Sequence, residues 1–356
     1  MSRQTPAAAL KQRGFTLIEL MIALVLGLIV IGGVISVLLS NQQTYRSNQA
    51  LSQVQDGSRT AFEFLARDIR QAGGTPCGNS TRVANVLNNG PTNGGTAWWA
   101  DFSNAIHGYA GNQTDPAVPT SPSKGERVAG TDSIQLMGAG GSSLSIAKHS
   151  PASATFQLYN SAAGIISPGD IVIVCSPDHA AITQITGPAA IGAILVHNKG
   201  ASSPGNCTKV LNYPANCGAL PSSAAAFPPN SEIAKLSATD WYIGNNNSTT
   251  QCSASAPQAC SLFRSAISVS GGGTPTAQAQ SQEIVRGVTN LQLQYLGGSA
   301  TPSVFVAAGS VTDWTQVTAV RVTLTLAVPT NPNNANNPEI VQRTFTNTVA
   351  LRNRVG

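Results

Sequence analysis

Glu19 is the residue of this chain whose chemistry most needs a partner. It is the only acid between Leu10 and Leu39, and the next charged residue after it is Arg46. A carboxylate near the hydrocarbon of a bilayer costs on the order of 2.5 to 3.5 kcal/mol, even on a lenient insertion scale. The chemistry that such a group offers is charge pairing in a medium of low dielectric constant, and a nearby cation would offset its cost.

The segment around Glu19 is long enough to cross a membrane. Residues 20 to 39 carry no charge, and about 20 helical residues at 1.5 Å each cover the roughly 30 Å of hydrocarbon. Lys11 and Arg13 precede the segment. Because excess positive charge stays in the cytoplasm, the amino terminus is predicted to be cytoplasmic and the chain after about residue 40 to be exported.

Two ordinary interpretations of this segment fit less well. A secretory signal peptide has a shorter apolar region and a small-residue cleavage site, whereas here Val37, Leu38 and Leu39 lead into Ser40 without an A-x-A pattern. A plain membrane anchor gains nothing from Glu19. The acid therefore indicates a helix that assembles with other chains.

The residues from Gly14 to Leu20, G-F-T-L-I-E-L, resemble the processing site of type IV prepilins and of the related pseudopilins of type II secretion. The resemblance implies that a prepilin peptidase cuts between Gly14 and Phe15 and that the new terminal Phe15 is N-methylated. It also implies that Glu19, five residues into the mature chain, assists assembly. A pilin-like fold, with one long amino-terminal helix packed on an antiparallel sheet, is the expected architecture.

Charge does not favour a nucleic-acid partner. The formal net charge of +5 includes Arg3, Lys11 and Arg13 of the leader, so the mature chain carries 5 minus 3, or +2. Nucleic-acid surfaces show clustered lysine and arginine, and no segment here is densely basic. No specific nucleic-acid binding is predicted.

An amphipathic stem is predicted to continue the membrane helix. Apolar residues recur with helical spacing on one stripe, which needs a surface to cover it. Gly73 and Gly74, followed by Pro76, are predicted to end the helix. The stripe consists of Leu51, Val54, Ala61, Leu65, Ile69 and Ala72, with Phe62 beside it.

The rest of the chain reads as short strands separated by polar loops. In residues 320 to 326, V-R-V-T-L-T-L, apolar and polar residues alternate, which is typical of an antiparallel strand with one wet face. The dry face of that strand is predicted to cover the stem stripe. Residues 283 to 295 are predicted as one strand, and the glycine-rich residues 138 to 143 as a hairpin turn rather than a dinucleotide-binding loop.

These elements predict an α+β chain with four parts. They are a cytoplasmic leader over residues 1 to 14, which is cleaved, and a transmembrane helix over residues 15 to 39. An amphipathic periplasmic stem follows over residues 40 to 72, and a β-rich, loop-rich globular domain over residues 73 to 356.

The six cysteines all lie on the side predicted to be exported. An even number in an oxidising compartment favours disulfides, although six cysteines allow 15 complete pairings and the sequence alone does not choose. Proximity favours Cys207 with Cys217 and Cys252 with Cys260, which leaves Cys77 for Cys175. Zinc binding is disfavoured because there is no C-x-x-C motif.

The histidines do not predict catalysis. His107, His149, His179 and His197 lie in no G-x-S-x-G, H-E-x-x-H or catalytic-cysteine context. Asp178 and His179 are adjacent, and their side chains are expected to diverge. No enzyme activity, cofactor or metal site is predicted.

Finer resemblances point to the PilW group of minor pilins. They lie in residues 65 to 73 (L-A-R-D-I-R-Q-A-G), 168 to 175 (P-G-D-I-V-I-V-C), 314 to 322 (W-T-Q-V-T-A-V-R-V) and 351 to 354 (L-R-N-R). The resemblance implies a protein of the inner membrane that primes a type IV pilus and enters it near the tip. Its implied partners are the prepilin peptidase, other minor and major pilins and a tip adhesin.

Two other functions remain open at this point. A J-type pseudopilin of type II secretion would have the same signal and stem, and the neighbouring genes would distinguish it. An exported ligand-binding adhesin module on a pilin stem would differ in that its isolated domain retained carbohydrate or DNA.

Overall fold

The computed structural model describes most of the chain after the predicted leader. Residues 1–14, with Gly14, and Phe15 lie outside the described residues, so the predicted cleavage site does too. The described residues are 16–79, 82–200, 203–220, 223–247, 249–270, 276–297, 304–331 and 339–353.

One helix, α1 (Leu17–Gln71), contains 55 residues and is therefore about 80 Å long. The predicted membrane helix and the predicted stem are thus one continuous element. The helix ends at Gln71, and Gly73, two residues later, has a left-handed φ of 74°, which favours glycine. The Gly73 N–H donates to the carbonyl of Met137 at 2.7 Å, which directs the chain into the β-structure.

The described part of the body forms sixteen strands, numbered here in chain order. They are β1 Gly74–Thr75, β2 Gly78–Asn79, β3 Val83–Asn85, β4 Ile106–Tyr109, β5 Ser133–Ser150, β6 Thr155–Leu158, β7 Ile171–Cys175, β8 Ala180–Gln184, β9 Ile194–Val196, β10 Ser231–Asn245, β11 Cys260–Ser270, β12 Thr276–Arg286, β13 Val288–Gly297, β14 Phe305–Ala307, β15 Val317–Pro329 and β16 Ile340–Ala350.

These strands form three sheets. β1 and β2 make a small ribbon after the helix. A ten-stranded sheet has the order β3-β8-β7-β10-β5-β6-β9, with β11 beside β10, β12 beside β11 and β4 beside β5. Its pairs are antiparallel except for the parallel pair of β3 and β8. A four-stranded antiparallel sheet has the order β14-β13-β15-β16.

The predicted stem stripe lies in the main hydrophobic core from Val54 to Ala72, whereas its first member, Leu51, is only partly buried and lies outside that core. Val54, Ala61, Leu65 and Ile69 are completely buried and share one apolar cluster with the inward side chains of β15. Those side chains are Val320, Val322, Leu324 and Leu326, which are the apolar members of the alternating segment. The α+β prediction and the packing of the helix on an antiparallel sheet are confirmed.

The predicted hairpin turn at residues 138 to 143 is wrong, because β5 runs through it without interruption. A side-chain carbon at Gly138 would lie 2.5 Å from the carbonyl oxygen of Gln71. The glycine is therefore required by the close approach of the helix end to the strand, and not by a turn.

The predicted single strand over residues 283 to 295 is also wrong. Gly287, with a φ of 78°, separates β12 of the ten-stranded sheet from β13 of the four-stranded sheet. Strands β10 and β11 were not predicted at all. The last eight residues of β10 are all buried. Because both faces of this part of the strand are covered, its sequence lacks the alternation of apolar and polar residues that predicts a strand.

Candidate assembly site

The first turn of α1 holds Glu19 in a capping box. The Thr16 N–H and the Thr16 hydroxyl both donate to Oε2 of Glu19 at 3.0 Å, and the Glu19 N–H donates to the Thr16 hydroxyl at 3.3 Å. This arrangement satisfies backbone donors that every helix start leaves free. It leaves the negative charge in place, because the ion pairs of the described residues do not include Glu19.

The amino-terminal half of α1 stands free of the body. Its large apolar side chains from Leu17 to Leu39 are all exposed, and the helix is long and apolar enough to cross a membrane. The body first reaches the helix just beyond this segment, where the Gln43 amide donates to the Glu339 carboxylate at 3.3 Å. The free half is thus available to lipid and to other helices.

The carboxyl-terminal end of the stem is bonded to the ten-stranded sheet through Asp68. Oδ2 of this buried carboxylate accepts from Nε1 of Trp241 at 3.0 Å and from Nε of Arg264 at 2.8 Å. The Arg264 guanidinium also lies 5.9 Å from the centre of a Trp241 ring. Asp68 belongs to the predicted stem, and no pattern in the sequence connects it with Trp241 or Arg264.

Disulfides hold the body at three places. Cys77 pairs with Cys175, Cys207 with Cys217 and Cys252 with Cys260, which is the pairing that proximity favours. The first bond joins the stem exit to the end of β7 across 98 residues. Because every cysteine is bonded, no thiolate remains for a metal, and no metal-binding group of three or more ligands occurs among the described residues.

A buried polar cluster lies beside the stem–sheet junction. Asp115 accepts from Gln135 at 2.8 Å, from the Ala117 N–H at 2.9 Å and from the Ser133 hydroxyl. Asp240 is fully buried, and burial, followed by the nearby Asp115, raises its pKa well above the usual value. Neither carboxyl oxygen of Asp240 has a hydrogen-bond partner among the described residues, and burial of an unpaired carboxyl favours its neutral form.

Arg127 supplies the positive charge of this cluster. Its guanidinium is buried and donates to the carbonyls of Ala110, Gln113 and Thr131 at 3.0, 3.0 and 2.6 Å. These bonds fix the loop between β4 and β5. The cluster has the hydrogen-bonding of a structural core rather than of a reaction site.

Two histidines form a second buried pair. Nε2 of His149 lies 3.1 Å from Nε2 of His197, and Nδ1 of His149 accepts from the Phe227 N–H at 3.0 Å. Burial lowers the pKa of His149 to about 4. Burial and then the charge of His149 lower the pKa of His197 to about 3. Both rings are therefore neutral near pH 7.

The expected divergence of Asp178 and His179 is wrong. Nδ1 of His179 lies 2.8 Å from Oδ2 of Asp178, and Nε2 lies 3.0 Å from the Leu211 carbonyl. The turn between β7 and β8 brings the two side chains together. The second ring nitrogen faces a backbone carbonyl rather than a serine or cysteine, so the pair lacks the nucleophile of a catalytic triad.

Comparison with protein families gives two matches at opposite ends of the chain. The prokaryotic N-terminal methylation motif matches residues 10–35, and the Type IV Pilus-assembly protein W family matches residues 240–353. No curated protein and no solved structure gave a match. The first match covers the predicted cleavage site and Glu19. The second begins within β10 and covers all of β11 to β16, so it includes Trp241 and Arg264. Together the two matches support the identification of this chain as a type IV pilus minor pilin of the PilW group.

Proposed function

We propose that this chain primes the assembly of a type IV pilus and is incorporated near its tip. The observation that carries the proposal is the division of α1 at about residue 40. Its first half is apolar and exposed, and its second half is packed on the body. A helix divided in this way can stay in the membrane before assembly and then pack among other helices in the pilus.

Each of the four parts of the chain has its own place in this proposal. Residues 1 to 14 are the cytoplasmic leader, residues 15 to 39 the membrane helix, residues 40 to 72 the stem and residues 73 to 356 the periplasmic body. The N-methylation motif implies processing by a prepilin peptidase and assembly with other pilins. Other minor pilins and a tip adhesin are the proposed specific partners, and the positive-inside rule supports the orientation.

A structural role, rather than an enzymatic one, agrees with the polar groups of the body. Asp115 is hydrogen-bonded to Gln135, and His149 lies within hydrogen-bonding distance of His197 and accepts from the backbone of Phe227. The PilW family is structural. We therefore propose that the chain has no catalytic activity.

Processing tests the proposal at its first step. A peptidase that cuts after Gly14 needs a small residue there, so Gly14→Val is expected to accumulate the full-length chain. Gly27→Val is the matched control, since a side chain at Gly27 meets nothing within 4 Å. Intact-mass measurement should show residues 1 to 14 retained only in Gly14→Val. An amino-terminal Phe15 in that variant would contradict the assignment.

A further inference from the structure

We propose that β16 is a docking edge, which an extended acidic segment of another exported protein joins as a fifth, antiparallel strand of the four-stranded sheet. Within the described residues, β16 pairs only with β15. The ladder between them runs from Ala319 and Ala350 to Pro329 and Ile340 without a register shift. The ladders of β5 with β10, β11 with β12 and β13 with β15 all contain shifts.

The backbone of β16 presents a regular row of groups that β15 does not use. The Leu351 N–H donates to Thr318 at 2.8 Å and the Thr330 N–H donates to Glu339 at 2.8 Å, so the odd-numbered residues of β16 face β15. In an antiparallel pair the intervening residues direct both N–H and C=O away from the partner. The outward groups therefore belong to the even-numbered residues, including Gln342, Thr344, Thr346 and Thr348.

Such an edge normally carries a device that prevents pairing with other chains. Proline, a bulge or a charge is the usual one, and β16 contains neither proline nor a bulge. Its one charge is Arg343, whose guanidinium donates to the outward carbonyl of Gln342 at 2.9 Å. An edge of 11 residues without a bulge, protected by one arginine, fits a surface that is covered after assembly.

The side chains of β16 define the chemistry of the incoming strand. The hydroxyls of Thr344 and Thr346 lie 3.2 and 3.0 Å from those of Thr325 and Thr323 on the outer face. On the stem face, Phe345 packs against the core and is only partly buried, and Arg343 forms no ion pair among the described residues. The strand that fits alternates polar with apolar residues and places a carboxylate beside Arg343.

The direction of β16 argues against a second copy of this chain as the occupant. Glu339, just before β16, accepts a hydrogen bond from Gln43 near the start of the stem. Asn353, just after β16, donates to the carbonyl of Ala72 at the end of the stem, at 3.4 Å. β16 therefore runs in the same direction as the stem. Two copies anchored in one membrane have parallel β16 strands, which cannot pair antiparallel. The inference rests on the proposed function only for this shared orientation.

Photo-crosslinking in native membranes tests the docking edge. Benzoylphenylalanine is placed at Gln342, Thr344 or Thr346 of the full chain, with Gln292 on the outer face of β13 as the control. The expected result is crosslinks to one segment of one other protein, at positions that descend in its sequence as the position on β16 ascends. Crosslinks to this chain itself, crosslinks without that reversed order, or a yield no higher than at Gln292 would each overturn the inference.

Two pairs of variants test the contributions of the β16 backbone and of the Arg343 charge to docking, separately from effects on folding. Thr346→Pro removes an outward N–H that β15 does not use and should abolish the crosslink, whereas Thr346→Val should retain it. Arg343→Glu should lower the crosslink yield about tenfold, and Arg343→Lys should restore most of it. Native disulfides in every variant show that the body has folded. Normal processing and pilus incorporation without the crosslink would refute the docking edge and leave the proposed function intact.

Discussion

Asp68 of the stem and Trp241 of β10 are joined by a hydrogen bond of 3.0 Å between Oδ2 and the indole Nε1, although 173 residues separate them. Arg264 of β11 donates to the same oxygen at 2.8 Å. One carboxylate thus connects the helix to two strands of the ten-stranded sheet. The orientation of the body on its stem depends on this contact as well as on apolar packing.

Replacing Asp68 should loosen this junction. Asp68→Ala leaves the indole N–H and the guanidinium without their acceptor, and we expect the free energy of unfolding to fall by about 2 to 4 kcal/mol. Arg67→Ala is the control, since Arg67 is largely exposed, lies 3.8 Å from the other oxygen and should contribute less than about 0.5 kcal/mol. Urea unfolding of the full chain in detergent, followed by tryptophan fluorescence, measures both. Equal midpoints for the two variants would contradict the role of Asp68.

The disulfide at the stem exit should stabilise the chain more than the shortest one. Cys77–Cys175 spans 98 residues and Cys252–Cys260 spans 8. In the chain-entropy account, the longer loop restricts the unfolded chain by about 2 kcal/mol more. We expect the double variant Cys77→Ser, Cys175→Ser to unfold at lower urea than Cys252→Ser, Cys260→Ser. The reverse order would show that loop length does not govern these bonds.

Asp240→Asn should stabilise the protein at neutral and alkaline pH. The raised pKa of Asp240 means that the folded state keeps a proton which the unfolded state releases above about pH 4. Stability therefore falls as pH rises from there towards the folded pKa. Asparagine is close in size to aspartic acid and does not ionise, so this fall should disappear. Unfolding midpoints from pH 5 to pH 8 measure it, and an unchanged pH dependence would exclude a protonated Asp240.

The buried histidine pair should make the protein less stable as the pH falls, which is the opposite of the effect of Asp240. The pKa values of about 4 for His149 and about 3 for His197 lie below the unfolded value of about 6.5. Their contribution to stability is therefore complete above about pH 6.5 and is lost as pH falls towards 4 and 3. His197→Phe, beside the ring of Phe156, should reduce this acid sensitivity. The same loss of stability between pH 6.5 and pH 4 in variant and wild type would contradict the assignment.

The features that could be predicted from the sequence are those in which hydrophobic residues recur at a regular spacing. The stem between Val54 and Ile69 and strand β15 each bury one face only. The spacing of their apolar residues therefore shows the type of element without information from the rest of the chain. Gly138 and Gly287 were misread because their roles depend on backbone from elsewhere, the Gln71 carbonyl for Gly138 and the Ala327 carbonyl for Gly287. The bond of Asp68 to Trp241 leaves no local pattern in either segment.

Glu19 carries the central claim, and the capping box dictates how it must be tested. Glu19→Ala removes the charge together with the acceptor of two Thr16 bonds, so its effect alone is ambiguous. Glu19→Gln retains an acceptor oxygen and removes only the charge. Both variants keep Gly14 and Phe15 and are expected to be inserted and processed normally.

The decisive measurement is the fraction of processed protein that enters pili, obtained by quantitative immunoblotting of sheared pili and of membranes. If the Glu19 carboxylate pairs with a cation of a neighbouring subunit, such as its Phe15 amine, both variants lose that attraction. A loss of only about 1.4 kcal/mol lowers incorporation about tenfold. We predict that Glu19→Ala and Glu19→Gln are processed normally but are both largely absent from pili. Incorporation of processed Glu19→Gln at the wild-type level would contradict charge pairing as the basis of assembly.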